Sequence, residues 1–302
     1  MATITAALIQ ELREKTSAGM MDCKTALTEN NGDIQAAADW LRQKGIVKAA
    51  KKADRVAAAG LVAPATSADG TFGVLVEVNA ETDFVAKNDK FQKLVGDVVK
   101  KALEVCGDPS AQGAAAACFE KTVAAMKDEV ANLIATIGEN MNIRRIASVT
   151  GDSVYTYTHN ALVPGMGQIG VIVALNGDIA RAAEIGPKIA MHVAASKPEF
   201  ATIAQVDPAA VEREKKIFID SGATAGKPAP VVEKMVDGRV HKYYAESVLE
   251  EQPFVMDPGK SVKAVLNEAG VRLAGFAYFL LGEGIEKRCD NLADEVSKML
   301  NN

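Results

Sequence analysis

The chain has 302 residues, 48% of them apolar, with 39 Asp and Glu against 34 Lys and Arg, giving a formal charge of −5. This is ordinary for a globular protein of two or three compact units, and the acidic balance, with a pI near 5.4, argues against direct nucleic-acid binding, which concentrates Lys and Arg on one face. The start lacks a basic leader with a long apolar run, and no window reaches the roughly 18 uncharged apolar residues of a spanning helix, so a soluble, cytoplasmic protein without membrane attachment is expected.

The first 54 residues carry three short helical patterns: Leu8, Ile9 and Leu12; Cys23, Ala26 and Leu27; then Ile34, Ala37, Ala38 and Leu41, with Trp40 beside that stripe. Breaks fall at 17–19 and at Asn30-Asn31-Gly32-Asp33, where Asp33 can start the next helix. Met20 and Met21, expected in the turn between the first two helices, read as core filler or as an adaptable contact surface, and sequence slightly favours filler for one of them. The basic, Ala-rich segment Lys48-Ala49-Ala50-Lys51-Lys52-Ala53-Asp54-Arg55 reads as a linker, since it is short and lacks the interleaved aromatics of a nucleic-acid contact.

Strands are then predicted at about 61–66 and 72–79, helices at 83–105 and 114–137, and a third strand at 143–149. The stretch Gly73-Val74-Leu75-Val76-Glu77-Val78-Asn79 recurs 97 positions on as Gly170-Val171-Ile172-Val173-Ala174-Leu175-Asn176, which marks an internal duplication. Asp83 and Phe84 are not duplicated; Ala180 and Arg181 stand at the matching places. Either Thr82 or Asp83 can cap the following helix through its side chain. Phe84 is in helical phase with Phe91, Leu94, Val95 and Val98, which reads as core, whereas Lys87 and Asn88 interrupt that stripe and would leave the ring facing outward.

The second half is expected to repeat the plan, with strands near 154–158 and 169–175, a helix near 179–195 and a last apolar strand at 271–281. Between 207 and 249 two helical stretches meet at the breaker-rich Ser221-Gly222-Ala223-Thr224-Ala225-Gly226-Lys227-Pro228. One arm carries the wet Glu212-Arg213-Glu214-Lys215-Lys216 and the other an apolar seam of Val232, Met235, Val236 and Tyr243, the pattern of a protruding antiparallel helical hairpin. Leu292, Val296 and Met299 predict a short terminal helix over 290–300. The fold class is therefore α+β: an N-terminal three-helix bundle (1–54), duplicated core subdomains with antiparallel strands (55–150; 151–206 with 250–285), an inserted helical hairpin (207–249) and a C-terminal helical module (286–302).

Cys23, Cys106, Cys118 and Cys289 have no C-x-x-C spacing, so reduced thiols are expected. His159, His192 and His241 lie far apart, which argues against a metal site. His159, after Tyr155 and Tyr157 at strand spacing, reads most simply as a hydrogen-bonded residue at a strand end. No phosphate loop occurs, because Gly226-Lys227 is followed by Pro228, and the isolated pairs Gly165-Met166-Gly167 and Gly282-Glu283-Gly284 read as turns. No nucleotide or other cofactor is expected in this chain, and no catalytic constellation is evident, so it is not expected to be an enzyme.

The string Glu77-Val78-Asn79-Ala80-Glu81-Thr82-Asp83-Phe84-Val85-Ala86-Lys87 resembles the signature of the elongation factor Ts family, the guanine-nucleotide exchange factors of elongation factor Tu. Leu12-Arg13-Glu14-Lys15-Thr16-Ser17-Ala18-Gly19-Met20-Met21-Asp22-Cys23-Lys24-Thr25-Ala26-Leu27 is similar to that family's opening motif. Further likenesses fall at Ile137-Gly138-Glu139-Asn140, at Met191-His192-Val193-Ala194-Ala195-Ser196-Lys197-Pro198, at Gln252-Pro253-Phe254-Val255-Met256 and at Gly282-Glu283-Gly284-Ile285-Glu286-Lys287. Ser17 stands where Gly is common and Ala80 where Cys is common.

The resemblance implies that the first bundle is of the ubiquitin-associated type and that the hairpin is a coiled-coil insertion. It implies elongation factor Tu as partner, contacted by Thr82, Asp83, Phe84 and Val85, by Arg13, Met20 and Met21, by Ile137 and Gly138, and by His159. It implies that the Phe84 ring enters a cleft between helices of the partner's GTPase domain, with Asp83 positioning it. A homodimer or larger complex is left open. Two other classes compete: a ubiquitin-like or nascent-chain binding adaptor built on the first bundle, which leaves the duplicated region unexplained, and a hydrolase with a constellation hidden in sequence.

Overall fold

A computed structural model describes residues 3–16, 18–107 and 115–286. Helices α1 (Ala6–Thr16), α2 (Met20–Glu29) and α3 (Ile34–Ala50) enclose a small core of Leu12, Cys23, Ala26, Leu27 and Ala37. The turn before α3 uses left-handed backbone at Asn31 and Gly32, and Asp33 caps the helix by accepting the Ala36 N–H at 2.9 Å. Part of the expected linker is helical, since α3 continues through Lys48 to Ala50 before a turn at residues 51–54.

The first half of the core follows as β1 (Ala59–Thr66), β2 (Phe72–Ala80), α4 (Asp83–Ala86), α5 (Asp89–Cys106), α6 (Ala115–Ala125), α7 (Lys127–Ile137) and β3 (Met141–Thr150). The second half comprises β4 (Ser153–Val163), β5 (Met166–Gly177), α8 (Ile179–Ser196), the hairpin α9 (Pro208–Asp220) and α10 (Ala229–Ser247), β6 (Pro253–Phe254), β7 (Asp257–Ser261), α11 (Val262–Glu268) and β8 (Val271–Leu280). Each half centres on one of the repeated segments. β2 runs antiparallel between β1 and β3, β5 runs antiparallel between β4 and β8, and the pair Val62 with Gly167 joins the two sets into one sheet.

Strand alternation assigns the two faces. Val74, Val76 and Val78 pack with Phe91, Leu94, Val95 and Val98 of α5, while Val171, Val173 and Leu175 pack with Ile189, Ala190 and Val193 of α8. The opposite faces meet each other, where Leu75 and its repeat equivalent Ile172 share a buried cluster with Val62 and Phe279. The one sheet thus folds over on itself across the β1–β5 join, and its two halves, called the two sheets below, form the inner layers of a helix, sheet, sheet, helix arrangement.

Several elements differ from the sequence reading. The expected helix over 83–105 is two helices, because the Asn88 side chain accepts the Lys90 N–H at 2.9 Å and begins α5 afresh. The expected helix over 114–137 likewise breaks at Met126. The hairpin of β6 and β7, with α11, was not anticipated; its strands are two and five residues long, too short for alternation to register. Cys106 and Cys118 form a disulfide with Cα atoms 5.1 Å apart, correcting the expectation of reduced thiols; α6 packs back on α5, which brings the two together, and Cys23 stays free and buried. The predicted helix over 290–300 and Cys289 lie outside the described residues.

The close approach of the sheets fixes one glycine. A Cβ on Gly170 would lie 2.5 Å from Val62 Cγ1 and 2.6 Å from Leu75 Cδ1, both fully buried side chains. Gly170→Ala is expected to lower unfolding free energy by about 1–3 kcal/mol through overpacking. Urea denaturation reads this, and an unchanged midpoint would contradict the tight inter-sheet contact.

Candidate functional site at the Phe84 turn

β2 delivers the chain to a turn that ends in the four-residue helix α4. Phe84 on that helix is 77% exposed, whereas its neighbours Val85 and Ala86 are buried in the first core. The break at Lys87 and Asn88 takes Phe84 out of phase with the fully buried Phe91, so the periodicity that suggests a core position does not continue through it. Asp83 accepts from Lys87 Nζ at 3.0 Å, and the same ammonium lies 5.7 Å from the Phe84 ring centroid. Both partners of this ion pair are well exposed, so it contributes little to stability.

The turn is held from elsewhere in the chain. Thr82 makes no capping bond of its own; instead its N–H donates to Glu139 Oε2 at 3.0 Å and its hydroxyl to Glu139 Oε1 at 2.9 Å. Asn140 donates its N–H to Glu81 and its side-chain amide to the Arg55 carbonyl at 2.7 Å, and Lys52 donates to the Gly138 carbonyl. Arg55 also lies 3.5 Å from the Glu81 carboxylate. Gly138 makes this possible by ending α7 in the left-handed conformation, with φ of 91°. Glu139 and Asn140 are thus part of the site, although of the string Ile137-Gly138-Glu139-Asn140 the sequence reading names only Ile137 and Gly138 as contact residues.

The other expected contact residues are distributed. Met20 and Met21 are 60% and 71% exposed, which corrects the filler reading, and Arg13 is exposed on the same bundle. Ile137 is half-buried against the first core, and the Val85 side chain is wholly committed to that core, so neither presents a free apolar surface as Phe84 does. His159 is exposed near the end of β4, where Nδ1 lies 3.1 Å from the Tyr157 hydroxyl. A cleft of about 510 Å³ runs between Asp83, Ala86 and Lys87 on one side and Asn160, Ala161 and Leu162 on the other, so the tip of the second half lies beside the Phe84 turn.

The family model described as elongation factor TS matches residues 81–283, beginning at this turn. The chain belongs to the elongation factor Ts family. It is 53% identical over 300 residues to the elongation factor Ts of Hyphomonas neptunium, with 99% of both chains covered. Proteins of the same name from Rhodospirillum centenum and Caulobacter vibrioides are 52% and 51% identical over 309 and 311 aligned residues, again with 99% of each chain covered. Membership places the chain among translation elongation factors.

Three motifs that carry the elongation factor Ts resemblance serve the scaffold. His192 accepts the Val255 N–H on Nδ1 at 3.2 Å and pairs through Nε2 with Gln252 Oε1 at 2.9 Å; burial holds it below the usual imidazole value, against the opposing pull of the Gln252 bond. Gly282-Glu283-Gly284 closes on a second buried group, Glu77. Among the described residues no helix is long and apolar enough to cross a membrane, and no group of three or more His, Cys, Asp or Glu side chains is placed to hold a metal ion.

Glu77 is fully buried on the inter-sheet side of β2, four residues before the turn begins at Glu81. Arg144 and Arg145 from β3, the Asn79 side chain and the Gly282 N–H all donate to its carboxylate. Arg145 also donates to the Leu280 carbonyl at 2.7 Å, stacks 4.2 Å from the Phe279 ring centroid and pairs with Glu283. Burial pushes the Glu77 pKa up, but the Gly282, Arg145 and Asn79 bonds and the Arg145 charge outweigh it and hold the carboxyl below its ordinary 4.5. A depressed folded value makes this contribution complete above about 4.5 and progressively lost as pH falls through the folded value. Glu77→Gln is expected to cost up to about 3 kcal/mol at pH 7, the arginines being partly solvated. The deficit relative to wild type should shrink on acidification below pH ~4; a pH-independent deficit in urea denaturation would show that charge plays no part.

Proposed function

We propose that this chain is a guanine-nucleotide exchange factor for elongation factor Tu, binding its GDP form and accelerating GDP release so that GTP can enter. The observation that carries the reading is a large aromatic ring left in solvent on a turn whose backbone is pinned by an ion-pair and hydrogen-bond network. With its turn backbone pinned through Thr82 and its ring 77% exposed, Phe84 has the geometry of an anchor for a partner's pocket. Family membership supports the choice of partner.

Exchange needs no covalent step, so the protein acts as a binding catalyst rather than as an enzyme with its own reaction chemistry. A factor that holds the nucleotide-free GTPase more tightly than the GDP form must loosen GDP by the same ratio. A buried aromatic anchor contributes about 2–4 kcal/mol by truncation, while inverting a 1:99 population takes about 5.5 kcal/mol. One ring is therefore insufficient. Arg13, Met20 and Met21 on α1 and α2, the Gly138 loop, and His159 on β4 are the proposed additional contacts. In this reading residues 1–54 are a ubiquitin-associated-type docking unit, residues 55–150 and 151–206 with 250–285 are the two core subdomains, and 207–249 is a coiled-coil insertion. The protein acts in the cytoplasm, with any magnesium effect exerted on the partner's ion.

The deciding experiment is stopped-flow release of labelled GDP from elongation factor Tu. Phe84→Ala is expected to lower accelerated release severely while leaving thermal stability nearly unchanged, and Asp83→Ala to give a smaller defect. A core aromatic would instead lose about 3–5 kcal/mol of folding free energy on truncation. Normal exchange per folded molecule by Phe84→Ala would sink the anchor reading.

A further inference from the structure

We propose that Glu139 is the positioning residue of the Phe84 turn: its carboxylate serves as an external cap on α4 and sets the angle at which the ring is presented. The proposal rests on the exchange-factor reading for its consequence, but the clamp itself rests on geometry. A four-residue helix cannot sustain itself, because nucleation fixes several residues for a single intrahelical bond. Its first amides also need acceptors. Thr82 does not provide one, since its hydroxyl is turned away as a donor to Glu139. The Asp83 to Lys87 pair is solvent-exposed and weak. What remains is the partly shielded, charge-assisted pair of bonds from the Thr82 N–H and hydroxyl to the two Glu139 oxygens.

Glu139 is itself held. Gly138 before it is gripped by Lys52, and Asn140 after it is nearly buried, with bonds to Glu81 and to the Ala53 and Arg55 carbonyls. The segment leading from α3 into β1 and the turn carrying Phe84 are thus joined through one three-residue loop. Glu139 touches the turn rather than presenting its own surface. Its removal should loosen α4 and broaden the directions in which the Phe84 ring points, while the sheets and α5 stay folded.

Two measurements on the full chain test this. Hydrogen exchange at the Thr82 amide should accelerate about tenfold or more in Glu139→Ala, the effect expected for losing charge-assisted bonds, with little change in Tm. Glu139→Gln should fall between, because its amide oxygen can still accept one of the two donors. In labelled-GDP release at saturating factor, Glu139→Ala should slow release about tenfold by the same reasoning, yet cause no further loss in a Phe84→Ala background, since the clamp acts only through the ring. An unchanged Thr82 exchange rate, or losses that multiply in the double variant, would overturn the proposal. If the wild-type chain fails to accelerate release, the exchange-factor reading falls, and the Thr82 rate decides the clamp by itself.

Discussion

Placing a carboxylate between two sheets costs several kcal/mol unless every oxygen is paired, and Glu77 meets that requirement with a neighbour on its own strand and two distant segments. The arginines come from β3, the amide from β2 itself, and the backbone N–H from the turn after β8. Satisfying Glu77 therefore locks the far end of the second half onto the central strand of the first. Gly282 must carry φ of 71° to bring its N–H there, in a space where a Cβ would meet the Ala58 carbonyl oxygen at 2.4 Å. The strand so fixed is the one that delivers Glu81, Thr82 and Phe84 to the surface.

The duplicated halves show what is framework and what is not. Both central strands send alternate residues to an outer helix and to the shared inter-sheet core, so Leu75 and Ile172 meet across the centre. Past those strands the halves diverge. Asp178, at the position matching Glu81, caps α8 directly by accepting the Arg181 N–H at 3.0 Å, and an 18-residue helix follows without interruption. In the first half Glu81 is taken instead by Asn140 and Arg55, the capping acid comes from Glu139, and the helix stops after four residues. The first-half helix stops because the Asn88 cap restarts the chain as α5, and that break leaves Phe84 outside.

This arrangement separates stability from presentation. Val85 and Ala86 anchor the turn in the first core, so the ring beside them is held without being buried. The tip of β4 and β5 lines the neighbouring cleft, which means that both halves contribute to one face around Asp83. The exposed Met20 and Met21 sit on a bundle with its own small core, and α3 of that bundle packs along α7, whose terminal loop carries Glu139.

Most of the elements are legible in the chain. The β-branched runs at 74–78 and 171–175, the Asp33 cap and the breaker-rich hairpin turn are local signals, and local backbone preference is enough to express them. The resemblance to the elongation factor Ts family is likewise carried by short strings such as Thr82-Asp83-Phe84-Val85, which need no fold to be recognised. What local pattern could not decide was whether Phe84 is core or surface, because helical phase assumes one continuous helix and the Asn88 cap restarts it. Nor could it pair Cys106 with Cys118, or set Glu139 on Thr82 across 57 residues, or bring Gly282 to Glu77 across 205. Those contacts depend on how α6 returns to α5 and how the two sheets close on each other. Sequence by itself determined most of the elements and the family; only tertiary packing decided which charges are buried, which side chain holds the turn and which ring is left in water.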